Sequence, residues 1–320
     1  MEYYKINQKK YGKIYSVAVI VAYFIYLIYA GINTGKLTGN NDPGLDVMLV
    51  SLFQPVTFLI IAIVTMNAND EFIKDGLFIN KFKPKYLGYS AILFVGLFLG
   101  IGYLNVILGY TLEGWGLLTT TQIKINGISD FIKYFIGLSL APAVGEEVLF
   151  RGVILYALLR YTSKNNDRGD VKTNPFATEG DRFGTDGRTD IKIALINALL
   201  FAVYHKNVAQ LIYQFVYGFA LTLVVIRSGS IIPAIFMHAL NNFTILLLTW
   251  VGVNPLNIIT TVIGLVILVF GFILLLKGKP FKTESGEDFD SKPFFTMASI
   301  GIAFCVIIPV LDILIKVFKL

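Results

Sequence analysis

The feature that most constrains this chain is a series of about nine long apolar runs separated by polar connections. About 20 apolar residues in a helix cross the about 30 Å hydrocarbon core of a bilayer. The chain is 55% hydrophobic and 15% charged, whereas in soluble domains about a quarter of the residues are charged. We therefore predict an all-α polytopic membrane protein, a bundle of about eight to nine transmembrane helices. The runs cover residues 15–32, 45–65, 86–110, 131–161, 191–205, 208–226, 231–251, 257–276 and 295–317.

The basic residues of the connections alternate in number along the chain. Clusters of Lys and Arg precede the first run and follow the second, fourth and eighth runs, whereas the intervening connections hold one basic residue or none. Because basic loops stay on the cytoplasmic side, we expect a cytoplasmic N-terminus and a multi-pass protein of a bacterial plasma membrane. The net charge of +6 follows from this topology. The lipid bilayer is thus an expected partner and nucleic acid is not.

The clearest break in composition lies at residues 162–190, which hold five basic residues, six acidic residues and four glycines. Such a segment cannot bury enough apolar surface to order itself. We predict a mobile cytoplasmic loop here. The whole chain, 1–320, is expected to form a single transmembrane domain, with its chemistry in a core at about 128–251.

Three ionisable residues interrupt the apolar run 131–161, in the stretch APAVGEEVLFRGVIL. Each charge at the centre of a membrane helix costs about 2.5–3.5 kcal/mol on insertion scales, so it indicates a function by default. Glu147 and Arg151 are four residues apart, which favours an ion pair on one helix face. Glu146 points about 100° away from Glu147. We therefore expect a supporting ion pair and one carboxylate that is free for chemistry.

The chain has only two histidines, His205 and His238, and both end or interrupt apolar runs. Phe201 shares a helix face with His205, and Asn242 shares one with His238. A carboxylate and an imidazole can activate water as a general base. A second imidazole and an amide can stabilise the oxyanion that develops on a carbonyl. Together with Glu146, these residues predict hydrolysis of a peptide bond.

The same side chains include a set of metal ligands. Glu146, His205 and His238 are the residue types that bind hydrolytic zinc ions. The helical HExxH signature of zinc proteases is absent from the sequence. The residues alone therefore leave two alternatives open, a reaction without a cofactor and a zinc-dependent variant of the same reaction.

Three short motifs resemble those of the CPBP family, which includes type II CAAX prenyl endopeptidases and bacteriocin-processing or immunity proteins. The resemblance implies a helical bundle with an intramembrane catalytic cavity and a glutamic endopeptidase that needs no metal. It implies that Glu146 and His205 activate water. It also implies that His238 and Asn242 stabilise the oxyanion. Glu147, Arg151 and Phe201 would then support the site. The motifs are EExxxR (Glu146, Glu147 and Arg151), FxxxH (Phe201 and His205) and HxxxN (His238 and Asn242).

Two other classes of function remain open at this stage. A catalytically inert immunity or scaffolding protein would keep the fold in order to bind a partner. A transporter would use the glutamate to carry protons. For the endopeptidase, the expected partner is a membrane-bound peptide or protein, with or without a lipid anchor, and the sequence leaves its identity open.

Overall fold

The computed structural model describes most of the chain, and all regular secondary structure within the described residues is helical. The prediction of an all-α fold is therefore confirmed. Most of the predicted loop 162–190 lies outside the described residues, and the chain is again helical from Gly187 onward. The described residues are 2–32, 42–69, 71–117, 123–162, 187–277 and 291–318.

The described helices pack both against neighbours along the chain and against helices far from them in sequence. The first part of the chain forms α1 (Glu2–Ile32), α2 (Pro43–Asn67), the short α3 (Ile73–Gly76) and α4 (Lys85–Gly114). The central part forms α5 (Ile128–Tyr134), a first π-helix (Phe135–Leu140), α6 (Ala141–Glu147), a second π-helix (Val148–Ile154) and α7 (Leu155–Thr162). The rest forms α8 (Gly187–Tyr204), a 3₁₀ turn (Val208–Gln210), α9 (Leu211–Ser228), α10 (Ile232–Val251), α11 (Ile258–Leu276) and α12 (Lys292–Phe318). Helix α11 packs along α4, α12 along α1, and α9 along α8.

Seven helices of the described chain are long and apolar enough to cross a membrane. The predicted runs 131–161 and 191–205 are helical too, but the first is interrupted by π-helical segments and the second is the main part of α8. The polytopic bundle is confirmed. The runs 131–161 and 191–205 are not among the seven helices that meet the length and hydropathy expected of a membrane span. The seven helices lie at Lys9–Ile28, Pro43–Asn67, Lys85–Gly114, Val208–Ser228, Ile232–Val251, Ile258–Leu276 and Lys292–Phe318.

The helix geometry changes around Pro142, in the first turn of α6. Proline has no N–H and its ring clashes with the preceding turn, so a regular α-helix cannot run through this position unchanged. The backbone before it is π-helical, and the N–H of Ala141 bonds to the carbonyl of Ile136, five residues back. A second π-helix follows Glu147 directly. Such segments occur often at functional sites, and here they flank the two glutamates.

Helix α2 approaches α6 closely next to the two glutamates. A Cβ atom at Gly145 would lie 2.9 Å from the Cα of Pro55, so only glycine allows the two backbones to come this near. The neighbouring residues Gln54 and Glu146 consequently come within contact distance of each other.

Candidate active site

The predicted site residues come together where α6, the second π-helix, α8 and α10 meet. Six of them form one continuous set of contacts. Asn242 lies one turn beyond His238 on α10, where it is bonded to Asn241. The six are Glu146, Glu147, Arg151, Phe201, His205 and His238.

The ion pair that the spacing predicts is present and fully buried. Nη1 of Arg151 donates to Oε1 of Glu147 over 2.9 Å, and both side chains have no exposed surface. Nη2 of Arg151 donates to the carbonyl of Gly218 over 3.0 Å. The guanidinium also lies 4.2 Å from the ring centroid of Phe201, a cation–π contact. Arg151 is therefore held on three sides.

Glu147 has a second partner, which the sequence analysis did not anticipate. Its Oε1 lies 2.8 Å from Nδ1 of His238. Because a carboxylate oxygen only accepts, Nδ1 carries the proton of this bond. This fixes the tautomer of a neutral His238, and Nε2 then lies 4.0 Å from Oε2 of Glu146. Glu147 thus connects the ion pair to the imidazole.

His205 is oriented by the backbone of its own helix. Its Nδ1 lies 2.8 Å from the carbonyl oxygen of Phe201. The carbonyl accepts, so Nδ1 donates, and Nε2 keeps a lone pair when the ring is neutral. This Nε2 lies 3.6 Å from Oε2 of Glu146. The rings of Phe201 and Tyr204 stand edge-on to the imidazole and restrict its rotation.

Glu146 occupies the centre of the cluster and is buried. Its Oε1 accepts a hydrogen bond of 3.3 Å from Nε2 of Gln54. Its Oε2 has no hydrogen-bond partner within the described residues, although it faces the Nε2 atoms of both histidines. A buried carboxylate oxygen without a partner is costly. Oε2 of Glu147 also lacks a hydrogen-bond partner among the described residues, but Oε2 of Glu146 is the one that faces Nε2 of both histidines.

Gln54 is a site residue that the sequence analysis missed. It donates to Glu146 and also lies 2.6 Å from the hydroxyl oxygen of Tyr204. The available signal was an amide inside the apolar run 45–65, since polar residues at membrane depth usually have a functional partner. That signal marks the residue but not its distance from Glu146, which depends on how α2 packs.

A second chain of hydrogen bonds orients Asn242. The hydroxyl of Tyr213 donates to Oδ1 of Asn241 over 2.5 Å, and Nδ2 of Asn241 donates to Oδ1 of Asn242 over 3.1 Å. With its oxygen accepting, Asn242 keeps its Nδ2 group for donation. An amide donor is therefore set on the same helix as His238.

A cavity of about 250 Å³ adjoins the cluster. Lys206, in the turn after α8, lines it, and its ammonium lies 4.9 Å from the ring centroid of Tyr23. Burial lowers the pKa of Lys206. The polar part of the lining consists of Tyr26, Ser51, Gln54, Tyr204, His205 and Lys206.

The alternative of a zinc site can be compared with this geometry. Zinc ligands bonded at about 2.0–2.1 Å lie about 3.4 Å apart in a tetrahedral site. From Oε2 of Glu146 the two Nε2 atoms lie at 3.6 Å in His205 and 4.0 Å in His238. Within the described residues, no three His, Cys, Asp or Glu side chains are grouped so that they could hold a metal ion.

Comparison with known proteins assigns the central part of the chain to a family. Residues 128–244 match the family described as type II CAAX prenyl endopeptidase Rce1-like. The matched segment, called the Rce1-like domain below, runs from the start of α5 into α10 and includes all three motifs, which confirms the resemblance, whereas Gln54 lies outside it. No curated protein and no solved structure matches the chain.

Proposed function

We propose that this protein is an intramembrane endopeptidase that hydrolyses peptide bonds of membrane-associated substrates with water activated by Glu146 and His205. The observation that carries the proposal is the unpartnered Oε2 of Glu146, which faces Nε2 of His205 and of His238. The Rce1-like domain supports the same class of reaction.

The convergence of these three atoms favours a ligand that both donates and accepts hydrogen bonds, as water does. With Glu146 ionised and His205 neutral, Oε2 of Glu146 and Nε2 of His205 are hydrogen-bond acceptors, whereas Nε2 of a protonated His238 is a donor. Separations of 3.6 and 4.0 Å exceed those of direct hydrogen bonds and fit a bridging oxygen. A water that donates to Glu146 and His205 becomes more nucleophilic, because both groups can take its proton.

In the proposed reaction, the water oxygen bonds to the carbonyl carbon of the scissile peptide and gives its proton to the Glu146–His205 pair. The carbonyl oxygen becomes an oxyanion, which Nδ2 of Asn242 and the Nε2–H group of an imidazolium at His238 stabilise, and His238 keeps both of its protons throughout. The carboxylate of Glu147 balances the charge on His238, which it contacts at Nδ1. The C–N bond then breaks, and the proton held by the pair passes to the leaving amine. A carboxyl terminus and a new amino terminus result.

The test is quantitative mapping of new peptide termini in membranes from cells with the wild-type protein or with Glu146→Gln. The substitution keeps the volume and removes the base. Termini that depend on the wild type should decrease about 10²–10⁴-fold, the usual contribution of general acid–base catalysis. These termini would also identify the substrate and show whether it carries a lipid anchor.

The matched control is Glu113→Gln, because Glu113 is an exposed carboxylate at the end of α4, far along the chain from the motifs. It should leave the profile unchanged. A chelator added to wild-type membranes separates the two mechanisms, since a zinc-dependent peptidase loses activity and a glutamic peptidase keeps it. Identical profiles for wild type and Glu146→Gln, at equal abundance, would instead favour an inert immunity or scaffolding protein.

The proposal includes the setting of the reaction. The alternation of basic connections supports a plasma membrane location with a cytoplasmic N-terminus. The substrate is a peptide or protein that is already bound to the same membrane, because two of the helices that carry site residues, α2 and α10, are long and apolar enough to cross a membrane.

A further inference from the structure

Lys206 is one of the residues that line the cavity adjoining the proposed site. It follows His205 directly and has a φ of 51°, in the left-handed region that residues other than glycine rarely adopt. The chain turns here between α8 and the 3₁₀ turn that begins at Val208. This turn places Lys206 in the same lining as Gln54 and His205.

Within the described residues, the ammonium group of Lys206 contacts two aromatic rings and interacts electrostatically with the thiol of Cys305. Its Nζ lies 4.9 Å from the ring centroid of Tyr23 and 5.9 Å from that of Tyr26, both on α1. Within the described part of the chain no carboxylate forms an ion pair with it. Aromatic faces attract a cation but carry no net charge. Among the described residues, the half-buried Lys206 therefore has no carboxylate as a counter-ion.

The charges of this region are arranged with opposite signs at two places. Glu146 contributes a negative charge beside the scissile position, and Lys206 contributes a positive charge in the cavity. Much of the remaining cavity lining is apolar, which leaves the field of the cation less screened than in water. An anionic group of a bound molecule is attracted toward Lys206 and repelled from Glu146. The apolar residues are Ala22, Ile25, Val50 and Leu138.

We propose that Lys206 binds a carboxylate of the substrate peptide and so directs cleavage to a peptide bond near an anionic group. The carboxylate is either the C-terminus of the peptide or an Asp or Glu side chain. This inference rests on the proposed function, and it specifies which peptides the same site prefers. The cavity has a volume of about 250 Å³, whereas typical small-molecule sites have volumes of about 300–1,000 Å³. It is therefore suited to a few residues at the end of a peptide.

The experiment uses the purified full-length protein in lipid nanodiscs. The probes are short random-sequence peptides in three forms: with a free C-terminal carboxylate, with a C-terminal amide, and with a free carboxylate but no Asp or Glu. Relative kcat/KM values are read by mass spectrometry. A hydrogen bond to a charged group predicts a preference of about tenfold or more for the form that carries the bound carboxylate. The amide form and the form without Asp and Glu distinguish the two sources.

Three variants test whether Lys206 causes the preference. Lys206→Met should reduce the preference ratio to about one, whereas Lys206→Arg keeps a cation and should keep the ratio. Lys277→Met, which changes an exposed lysine at the end of α11, should also keep it. Each ratio is measured within one preparation, so a smaller folded fraction of any variant cancels.

Binding of the same peptides to Glu146→Gln, measured by fluorescence anisotropy, separates this inference from the proposed function. Cleavage that requires Glu146 but shows no preference dependent on Lys206 would overturn the inference and keep the function. A binding preference that requires Lys206 without any cleavage by the wild type would keep the carboxylate site and overturn the peptidase. Absence of both would overturn both.

Discussion

Two helix assemblies in this protein are stabilised by different kinds of interaction. The pair α4 and α11 is apolar along its contact, and a Cβ atom at Gly264 would lie 2.2 Å from the backbone nitrogen of Gly100. Backbones this close are stabilised by van der Waals packing. The assembly of α6, the second π-helix, α8 and α10 instead buries Glu147 and Arg151 completely. One assembly depends on shape, and the other depends on charge pairing.

The difference shows where this fold tolerates the cost of buried charges. Removing two charges from water is expensive, and an apolar pair of the same size is often as stable. The α4–α11 pair demonstrates that this chain can pack membrane helices without charges. Glu147 and Arg151 are therefore better explained by what they hold, which is His238 through Nδ1 and Phe201 through its ring.

The largest effect on stability is expected for Arg151→Met. The substitution removes the cation of a fully buried ion pair, and breaking such a pair by removing one partner costs about 3–5 kcal/mol. The free energy of unfolding in detergent, measured by thermal or denaturant titration, should decrease by about this amount.

A second variant distinguishes charge pairing from the loss of packing around Arg151. In Glu147→Gln/Arg151→Met both charges are absent, so part of the stability should return relative to Arg151→Met alone. Activity should not return, because His238 has lost its carboxylate. A double variant as unstable as the sum of the two single variants would contradict the charge-pairing explanation.

In the apolar assembly, Gly264→Ala is expected to lower stability but not the activity of folded molecules. The added Cβ atom would meet the backbone of α4, and overpacking of this kind costs about 1–3 kcal/mol. Gly109→Ala is the matched control, because no atom lies within 4 Å of its Cβ position. Thermal unfolding and kcat per folded molecule are the two measurements. A fall in kcat equal to that of a site variant would show that the assemblies are coupled.

The sequence predicted which charged residues belong to the charged assembly better than it predicted which other residues contact them. Membrane-buried charges are so expensive that Glu146, Arg151 and the two histidines could be identified without any contact information. Helical spacing also predicted the ion pair of Arg151. The dependence of His238 on Glu147 could not be predicted, because two residues 91 positions apart meet only through the packing of α6 on α10.

The same limit explains the residues that were missed. Gln54 reaches Glu146 because Gly145 allows α2 to approach α6 closely. In the sequence, Lys206 is one of several basic residues in the connections between helices. Its φ of 51° and the cavity beside it have no signature in the sequence. The π-helical segments around the glutamates likewise depend on local packing, although Pro142 indicated an irregularity at this place.

Gln54→Leu tests whether the charged assembly extends beyond the Rce1-like domain. The variant removes the donor to Glu146, and a hydrogen bond to a charged group contributes about 1.5–3 kcal/mol. We therefore expect kcat to fall about 10- to 100-fold on the substrate that terminus mapping identifies. Gln214→Leu, a half-buried glutamine of α9, is the control and should leave kcat unchanged. Equal values for both variants would restrict the site to the domain itself.

The smallest effect is expected at an exposed ion pair, in contrast to the buried pair of Arg151. Lys133 on α5 donates to Asp42, which precedes α2, and the hydrogen bond from Lys133 lowers the pKa of Asp42 while it raises the pKa of Lys133. Asp42 also caps α2 by accepting from the N–H of Leu45. Asp42→Asn keeps a capping side chain and removes only the charge.

Because the pKa of Asp42 is lower in the folded protein, the pair stabilises the fold above the usual aspartate pKa of about 3.9, and this contribution disappears as the pH falls through the lowered value. For Lys133 the sign is opposite, so stabilisation persists at neutral pH and disappears only as the pH rises through its raised pKa. The melting temperature of wild type should thus exceed that of Asp42→Asn slightly at neutral pH and equal it in acid. Salt should reduce the difference, since both side chains are partly exposed. A difference in melting temperature that is independent of pH and salt would show that this pair behaves like the buried pair of Glu147 and Arg151 instead.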